Sequence, residues 1–399
     1  TFTGPLTVEG NFTADGGTIK LDGNYPVGTQ NVALGDGAAD ALTSGNYNVA
    51  VGHNAAGSLT SGSNSAMIGN AAGAATTTGG ANVAVGDIAL TSNTTGANNV
   101  AIGYASLLLN TTASNNTAVG YQAAYTNSTG ANSTYLGFQT AYSNTTGTNN
   151  TGLGLQALYS NTTGGNITAV GGNALENNTT GGQNTALGRQ ALKANTTASS
   201  NTAVGYQAGY ANTTGTNLTA IGAYAGDANT TGNYNTAVGT FALSTNTNGS
   251  WNTATGREAL SASTGSNNTA FGGQALLSNT TASNNTAVGY QAAYSNTTGS
   301  RITAFGQSAL RANTTGDYNV ALGDRALLTN TGSSNNIAVG ANALYNLNVA
   351  SGDGYNVAVG KNAGFSITTG INNTLIGGLA GDAITTGGYN VAVGATALT

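Results

Sequence analysis

Asn115-Asn116-Thr117-Ala118-Val119-Gly120-Tyr121-Gln122-Ala123-Ala124 is the stretch that decides the fold, because the chain rewrites it from one end almost to the other. Aligned on its glycine, copies fall at Gly35, Gly52, Gly69 and onward to Gly256, each 17 residues after the last, and continue from Gly272 to Gly394. Only two steps depart from 17: one residue is missing before Gly272 and three are added before Gly360. Twenty-two copies with two length faults specify a stacked repeat, in which each unit buries its apolar face only against its neighbours.

The 399 residues include 62 Gly, only 5% charged side chains and long Asn/Thr tracts, a composition that by itself suggests low complexity. The strict period argues the opposite, since a disordered linker has no reason to return an apolar residue to one column every 17 positions. Without cysteine, no disulfide or thiolate metal site can staple the fold, so stability must come from stacking. Eight basic residues and a net charge of −5 leave no stripe able to neutralise a phosphate backbone, and no nucleic-acid partner is expected. No apolar run approaches the ~20 residues that span a bilayer, and no membrane insertion is expected. The chain begins at Thr1 and stops at Thr399 inside a repeat, so it reads as a piece of a longer polypeptide.

Residues 1–30 differ from the rest. Leu6, Val8 and Phe12, then Ile19 and Leu21, lie in short strand-like runs broken by glycines, and both prolines, Pro5 and Pro26, fall here. This segment reads as an N-terminal cap or junction. Residues 31–399 read as the repeat shaft. The residue before the marker glycine is Leu34, Val51, Ile68, Val85, Ile102 and so on, with Thr255 the one polar exception, and this column is expected to be buried. Two before the glycine is nearly always Ala, three before is Thr or Val, and four before is Asn in 17 of 22 copies. Alternation, β-branched residues and short runs bounded by Gly and Asn predict strands. Each coil is expected to hold two, N-[TV]-A-[VIL]-G and the Gln-Ala-Leu region, joined by a turn such as Asn144-Thr145-Thr146-Gly147.

One large apolar residue per strand is thin for a solenoid standing alone, and columns of invariantly small Ala suggest a second backbone in close approach. Both features predict several chains side by side around an axis. A longer period also exists: Asn110–Tyr125 and Asn279–Tyr294 are identical, and Asn195–Tyr210 differs only at Ser200 and Gly209, so the array has grown by copying blocks of five coils. Such growth lengthens a shaft without a new fold.

The signature Asn48-Val49-Ala50-Val51-Gly52, repeated as Asn99-Val100-Ala101-Ile102-Gly103, resembles the repeats in head domains of trimeric autotransporter adhesins. The fuller wording with Asn-Thr-Thr-Gly spacers, together with Leu21-Asp22-Gly23-Asn24-Tyr25-Pro26, is similar to repetitive tail-fibre proteins of bacteriophages. The resemblance covers about residues 20–399 and implies a left-handed parallel β-roll of about 22 coils assembled as a homotrimer, extracellular, binding a host cell-surface glycan or other receptor. The 17-residue unit is longer than is usual for adhesin heads, and the chain shows no anchor, coiled-coil stalk or chaperone domain that would separate adhesin from fibre.

Enzyme chemistry finds no support in the pattern. His53 is the only histidine and stands in the variable column after the marker glycine. Glu176 and Asp227 share a column but lie three coils apart, about 14 Å at the usual strand spacing, too far for the ~5 to 9.5 Å separation of typical glycosidase carboxylates. No cofactor motif and no aspartate repeat for calcium is present. The Asn-x-Thr triplets are accounted for by turn chemistry. Aromatic residues are the best candidates for recognition: Tyr125, Tyr142 and Tyr159 occupy one column in consecutive coils, with Tyr121 and Phe138 in a neighbouring one, so a stripe of stacked rings is expected. Tyr234, Trp251, Tyr318, Tyr355 and Tyr389 precede the strand Asn, at a corner, and Asp87, Arg189, Arg257 and Lys361 form a solvated column. Receptor contacts are expected on such outer columns or in the inserted loop around Ser351 to Gly354. The reading is a non-enzymatic fibre or adhesion segment, with an adhesin head as the alternative. An ice-binding solenoid stands third, because its Thr column would share a face with the buried Val/Leu column.

Overall fold

The structure, a computed structural model, describes residues 28–399, so the expected cap over residues 1–30 falls, but for its last three residues, outside the described residues. Twenty-two three-residue strands, from Val32–Leu34 to Val391–Val393, form one parallel sheet in which each strand pairs with that of the next coil. Register follows the repeat, as in Thr117↔Thr134, Ala118↔Tyr135 and Val119↔Leu136. Both length faults are absorbed in loops: Ala254 still faces Ala270, and Ala338 still faces Ala358. The three-residue insertion adds a small second pairing of Ser333–Ser334 with Gly352–Asp353. No helix occurs among the described residues. The chain is thus an all-β parallel solenoid of about 21 turns, roughly 100 Å long at ~4.8 Å per strand.

The marker glycine is required by geometry. Gly120 has φ +140°, and a Cβ there would run into the carbonyl of Gly137 in the next coil. That contact recurs at coil after coil, so the glycine column is where neighbouring backbones come closest.

Three expectations are corrected by the structure. First, the Val/Leu/Ile column before the glycine is not buried. Leu136 is 50% exposed and Phe271 57%, while the Ala column beside it, Ala101, Ala118 and Ala186 among others, is wholly buried. Alternation along the strand is obeyed with the opposite sense, because in most coils so tight a closure leaves room for a methyl group, and the larger Met67, Tyr135 and Leu375 of this column are each accommodated beside a glycine, Gly73, Gly152 and Gly381. The Thr column does share a face with the Val/Leu column, and that face points outward.

Second, the Gln-Ala-Leu region is not a strand. Gln122 and Ala124 both have φ +51°, and Ala123 and Ala124 are both buried, which period-two geometry cannot achieve. A left-handed residue costs roughly 1–2 kcal/mol. Hydrogen bonding offsets it: Ala124 N–H donates to Thr140 C=O at 2.9 Å, Thr126 N–H to Tyr142 C=O at 3.0 Å, and Gln122 N–H to Tyr104 C=O at 2.8 Å. Leucines such as Leu158, Leu175 and Leu192 enter the core at the same φ-positive position, each contributing on the order of 2 kcal/mol of burial.

Third, the small Ala columns are already buried in the chain's own core, as Ala118, Ala186 and Ala203 are, so their small size is accounted for inside a single coil. The interior is completed by two asparagine ladders. Asn116 Nδ2 donates to Gly130 C=O at 2.8 Å, while Asn99 Oδ1 accepts from Asn116 N–H at 3.0 Å. The turn asparagines form the second ladder: Asn144 Nδ2 donates to Asn127 Oδ1 at 2.7 Å and to Gly147 C=O at 3.1 Å. These amides are buried, so their bonds run along the stack, and the ladder is interrupted at Asn246 and Asn330, whose Oδ1 atoms are enclosed without a partner.

Candidate functional site

The outer columns carry the chemistry, and the fold positions them by simple stacking. Tyr121 and Phe138 stack with ring centroids 5.2 Å apart and planes 8° from parallel, and Tyr104, one coil earlier in the same column, extends the stack at 5.2 Å. Tyr125, Tyr142 and Tyr159 form the second stack, at 4.9 and 5.2 Å. Between the two runs an amide ladder: Gln139 Nε2 donates to Gln122 Oε1 at 2.9 Å, and Gln156 Nε2 to Gln139 Oε1 at 3.2 Å. Offset parallel rings at this spacing are a favourable arrangement. They spend their faces on one another, leaving edges and hydroxyls toward solvent. Burial and the flanking phenols hold Tyr142 above the usual tyrosine range. Tyr104 was legible from its place 17 residues before Tyr121.

The corner column behaves differently. Each of its residues has a left-handed backbone, which throws the side chain outward: Tyr318 (φ 56°), Asn335 (φ 60°) and Tyr355 (φ 49°) are consecutive members. Where two rings are adjacent they stack, as Tyr234 and Trp251 do at 4.1 Å. Tyr318 and Tyr355 are instead separated by the short Asn335. A groove of about 310 Å³ lies there, floored by Val320, Ile337 and Val357 of three paired strands. Asn335 Nδ2 donates to Asp353 Oδ1 at 2.7 Å, and Tyr355 Oη donates to Asp353 Oδ2 at 2.9 Å. Asp353 belongs to the three-residue insertion, and its carboxylate holds the Tyr355 phenol above its usual range. Arg301, one coil earlier, donates from Nη1 to Tyr318 Oη at 2.6 Å and covers one face of that ring at 5.2 Å.

Charged groups are scattered, and some are paired. Glu176 meets Lys193 at 3.2 Å, Glu258 meets Arg257 at 2.6 Å, and His53 contacts the Asp36 carbonyl on the exposed surface. Asp227 is the perturbed carboxylate: burial pushes it up to about 6, and its Oδ1 is enclosed without a hydrogen-bond partner. Glu258 is held below the usual range by hydrogen bonds from Gln274 and Arg257. No group of three potential metal ligands converges among the described residues. No helix among them is long and apolar enough to cross a membrane. Asp87, Arg189, Arg257 and Lys361 are exposed as expected. Tyr121, Phe138 and the Tyr125–Tyr159 stack are brought together on one surface, whereas the groove between Tyr318 and Tyr355 depends on an asparagine that the pattern did not single out.

A comparison with models of known protein families gives no match, and a comparison with curated proteins gives none either.

Proposed function

We propose that the chain is a non-enzymatic shaft segment of a fibre, extracellular and assembled as a homotrimer of left-handed solenoids, which carries attachment to a host-cell surface through glycan contacts on its outer columns. A bacteriophage tail fibre is the favoured setting and a bacterial trimeric adhesin head the alternative. The observation that carries the reading is the uncovered sheet face: Leu136, Phe271 and Phe305 stand 50, 57 and 56% exposed in one column that runs the length of the rod. An exposed apolar stripe of that length calls for a cover, and two further copies packed about an axis would cover it with the same register in every coil. Continuous backbone ladders then resist bending, and repeated outer columns allow avidity from weak contacts. No metal or cofactor is needed for this role.

Light scattering with a small-angle shape measurement tests it. A rod of about three times 38.9 kDa is the expected result, and a particle of one chain mass would overturn the trimer. A specific observation also favours a second reading. Threonine occupies the outward strand column in twelve consecutive coils, Thr117 to Thr303, so a flat hydroxyl ladder of the kind ice binding needs is on the surface of the isolated chain. In a trimer built on this face the ladder is covered, so the same mass measurement, paired with an ice-recrystallisation assay, separates the two.

A further inference from the structure

The geometry points to a binding slot for a single pyranose ring between Tyr318 and Tyr355, floored by Val320, Ile337 and Val357, with Asn335 between the walls and Asp353 at its rim. The inference deepens the glycan-attachment part of that reading and rests on it; the slot opens on the outward strand column, so it requires the trimer to leave that column open at the Val320, Ile337 and Val357 coils. Tyr318, Asn335 and Tyr355 sit at one position of three successive coils, each two residues before the paired residues Val320, Ile337 and Val357. Two coil steps place the backbones that carry the rings about 9.6 Å apart. Carbon–carbon contact is optimal at about 3.5–4.0 Å, so a flat aromatic guest would need walls near 7 Å, whereas a puckered saturated ring with C–H groups on both faces needs about a further 2 Å. The spacing therefore favours a sugar over an aromatic ring.

Where rings of this column stand in adjacent coils, as Tyr234 and Trp251 do, their faces are spent on each other; Tyr318 and Tyr355 are kept apart by Asn335. Arg301 occupies only the face of Tyr318 turned away from the slot, and the residue opposite the other face is an asparagine. A pyranose offers apolar C–H faces above and below and hydroxyls at its edge, which is the complement of this site. Asp353 is held by Asn335 and Tyr355 at 2.7 and 2.9 Å, so its carboxylate is oriented before any ligand arrives. Each of its oxygens retains a second lone pair for a sugar hydroxyl. The insertion that supplies Asp353 is the one lengthened step in the array, so the carboxylate at this groove is a product of that insertion. One step further on, Tyr355, Asn372 and Tyr389 repeat the ring–asparagine–ring alternation without the aspartate, which provides an internal comparison.

The test uses the full chain and saturation-transfer NMR with methyl glycosides of glucose, galactose, mannose and N-acetylglucosamine. At least one should bind, and Tyr355→Ala should weaken it tenfold or more. The decisive variant is Asn335→Trp, which fills the slot by continuing the stack as Trp251 does beside Tyr234; binding should disappear while the melting temperature holds or rises. Tyr47→Ala, at an exposed ring of the same corner column far along the rod, should leave binding unchanged. If Asn335→Trp binds like the parent, or if Tyr355→Ala leaves binding intact, the slot assignment is wrong, and a loss of binding in Phe138→Ala would then place attachment on the other stripe. If no glycoside binds the parent chain, the slot falls, and the fibre reading is still decided separately by the mass in solution.

Discussion

The asparagine ladder makes a sharp prediction at Asn178, whose side chain is fully buried. It donates to Asn161 Oδ1 at 2.7 Å and to Gly181 C=O at 2.9 Å, and its Oδ1 accepts from Asn195 Nδ2 at 2.7 Å. In most coils the turn carbonyl is held twice, as Ala198 C=O is by Asn184 and Asn195 at 2.8 and 3.0 Å. Gly181 C=O lacks the second donor because the strand column holds Ile167 where the asparagine would stand. Asn178→Ala therefore orphans the Gly181 carbonyl and Asn161 Oδ1, whereas Asn195→Ala orphans only Asn178 Oδ1 among acceptors. A buried polar group left unpaired costs about 1–3 kcal/mol, so Asn178→Ala should be the more damaging by that amount. In a solenoid the loss is felt locally, and hydrogen exchange by mass spectrometry over the Asn178 and Asn195 coils should show opening faster by roughly tenfold to a hundredfold in the first variant relative to the second. Equal exchange in the two, or greater loss in Asn195→Ala, would refute the reasoning that the carbonyl has one donor and that the ladder is held bond by bond.

Other perturbations follow from the same packing. Tyr135 takes the place of the inward Ala, and the chain compensates with Gly152 in the next coil, where a Cβ would lie 2.8 Å from Thr140 Cγ2 and 3.3 Å from Tyr135 Cδ1. Gly152→Ala should destabilise by about 1–3 kcal/mol, and adding Thr140→Ser, which removes the methyl in closest contact while keeping the hydroxyl, should relieve part of that in a thermal melt; additive losses would argue against it. Asp227 is raised by burial to about 6, so the folded chain holds its proton more tightly than the unfolded chain does. Its contribution is present in full below about pH 4 and is lost as pH rises through about 6. Asp227→Asn should flatten the pH dependence of the melting temperature in that window and raise stability at pH 7.

Much of this architecture is written in the glycine period. A residue that tolerates φ +140° beneath a carbonyl of the next coil can only be glycine, so the spacing of Gly120 and its counterparts is enough to specify the stack, its pitch and its register. The stacking of Tyr121 on Phe138, and of Tyr125 on Tyr142 and Tyr159, follows from the same arithmetic, since residues 17 apart must lie one above the other.

Which way the columns face was decided by closure. Val119 and Ala118 are both apolar, and size alone would put the valine inside; the narrow bore admits the methyl of Ala118 and turns Val119 and Thr117 outward together. The asparagines gave no sign of burial, because Asn144 serves a turn equally well in solvent, and only the closed coil that buries it obliges its amide to bond along the axis. Sequence determined the repeat, the strand and the outer aromatic stacks, because each depends on residues a fixed distance apart in one chain. The inward face, the amide ladders and the slot between Tyr318 and Tyr355 depend on which groups meet across the coil or beside an insertion, and those distances exist only after the chain has folded.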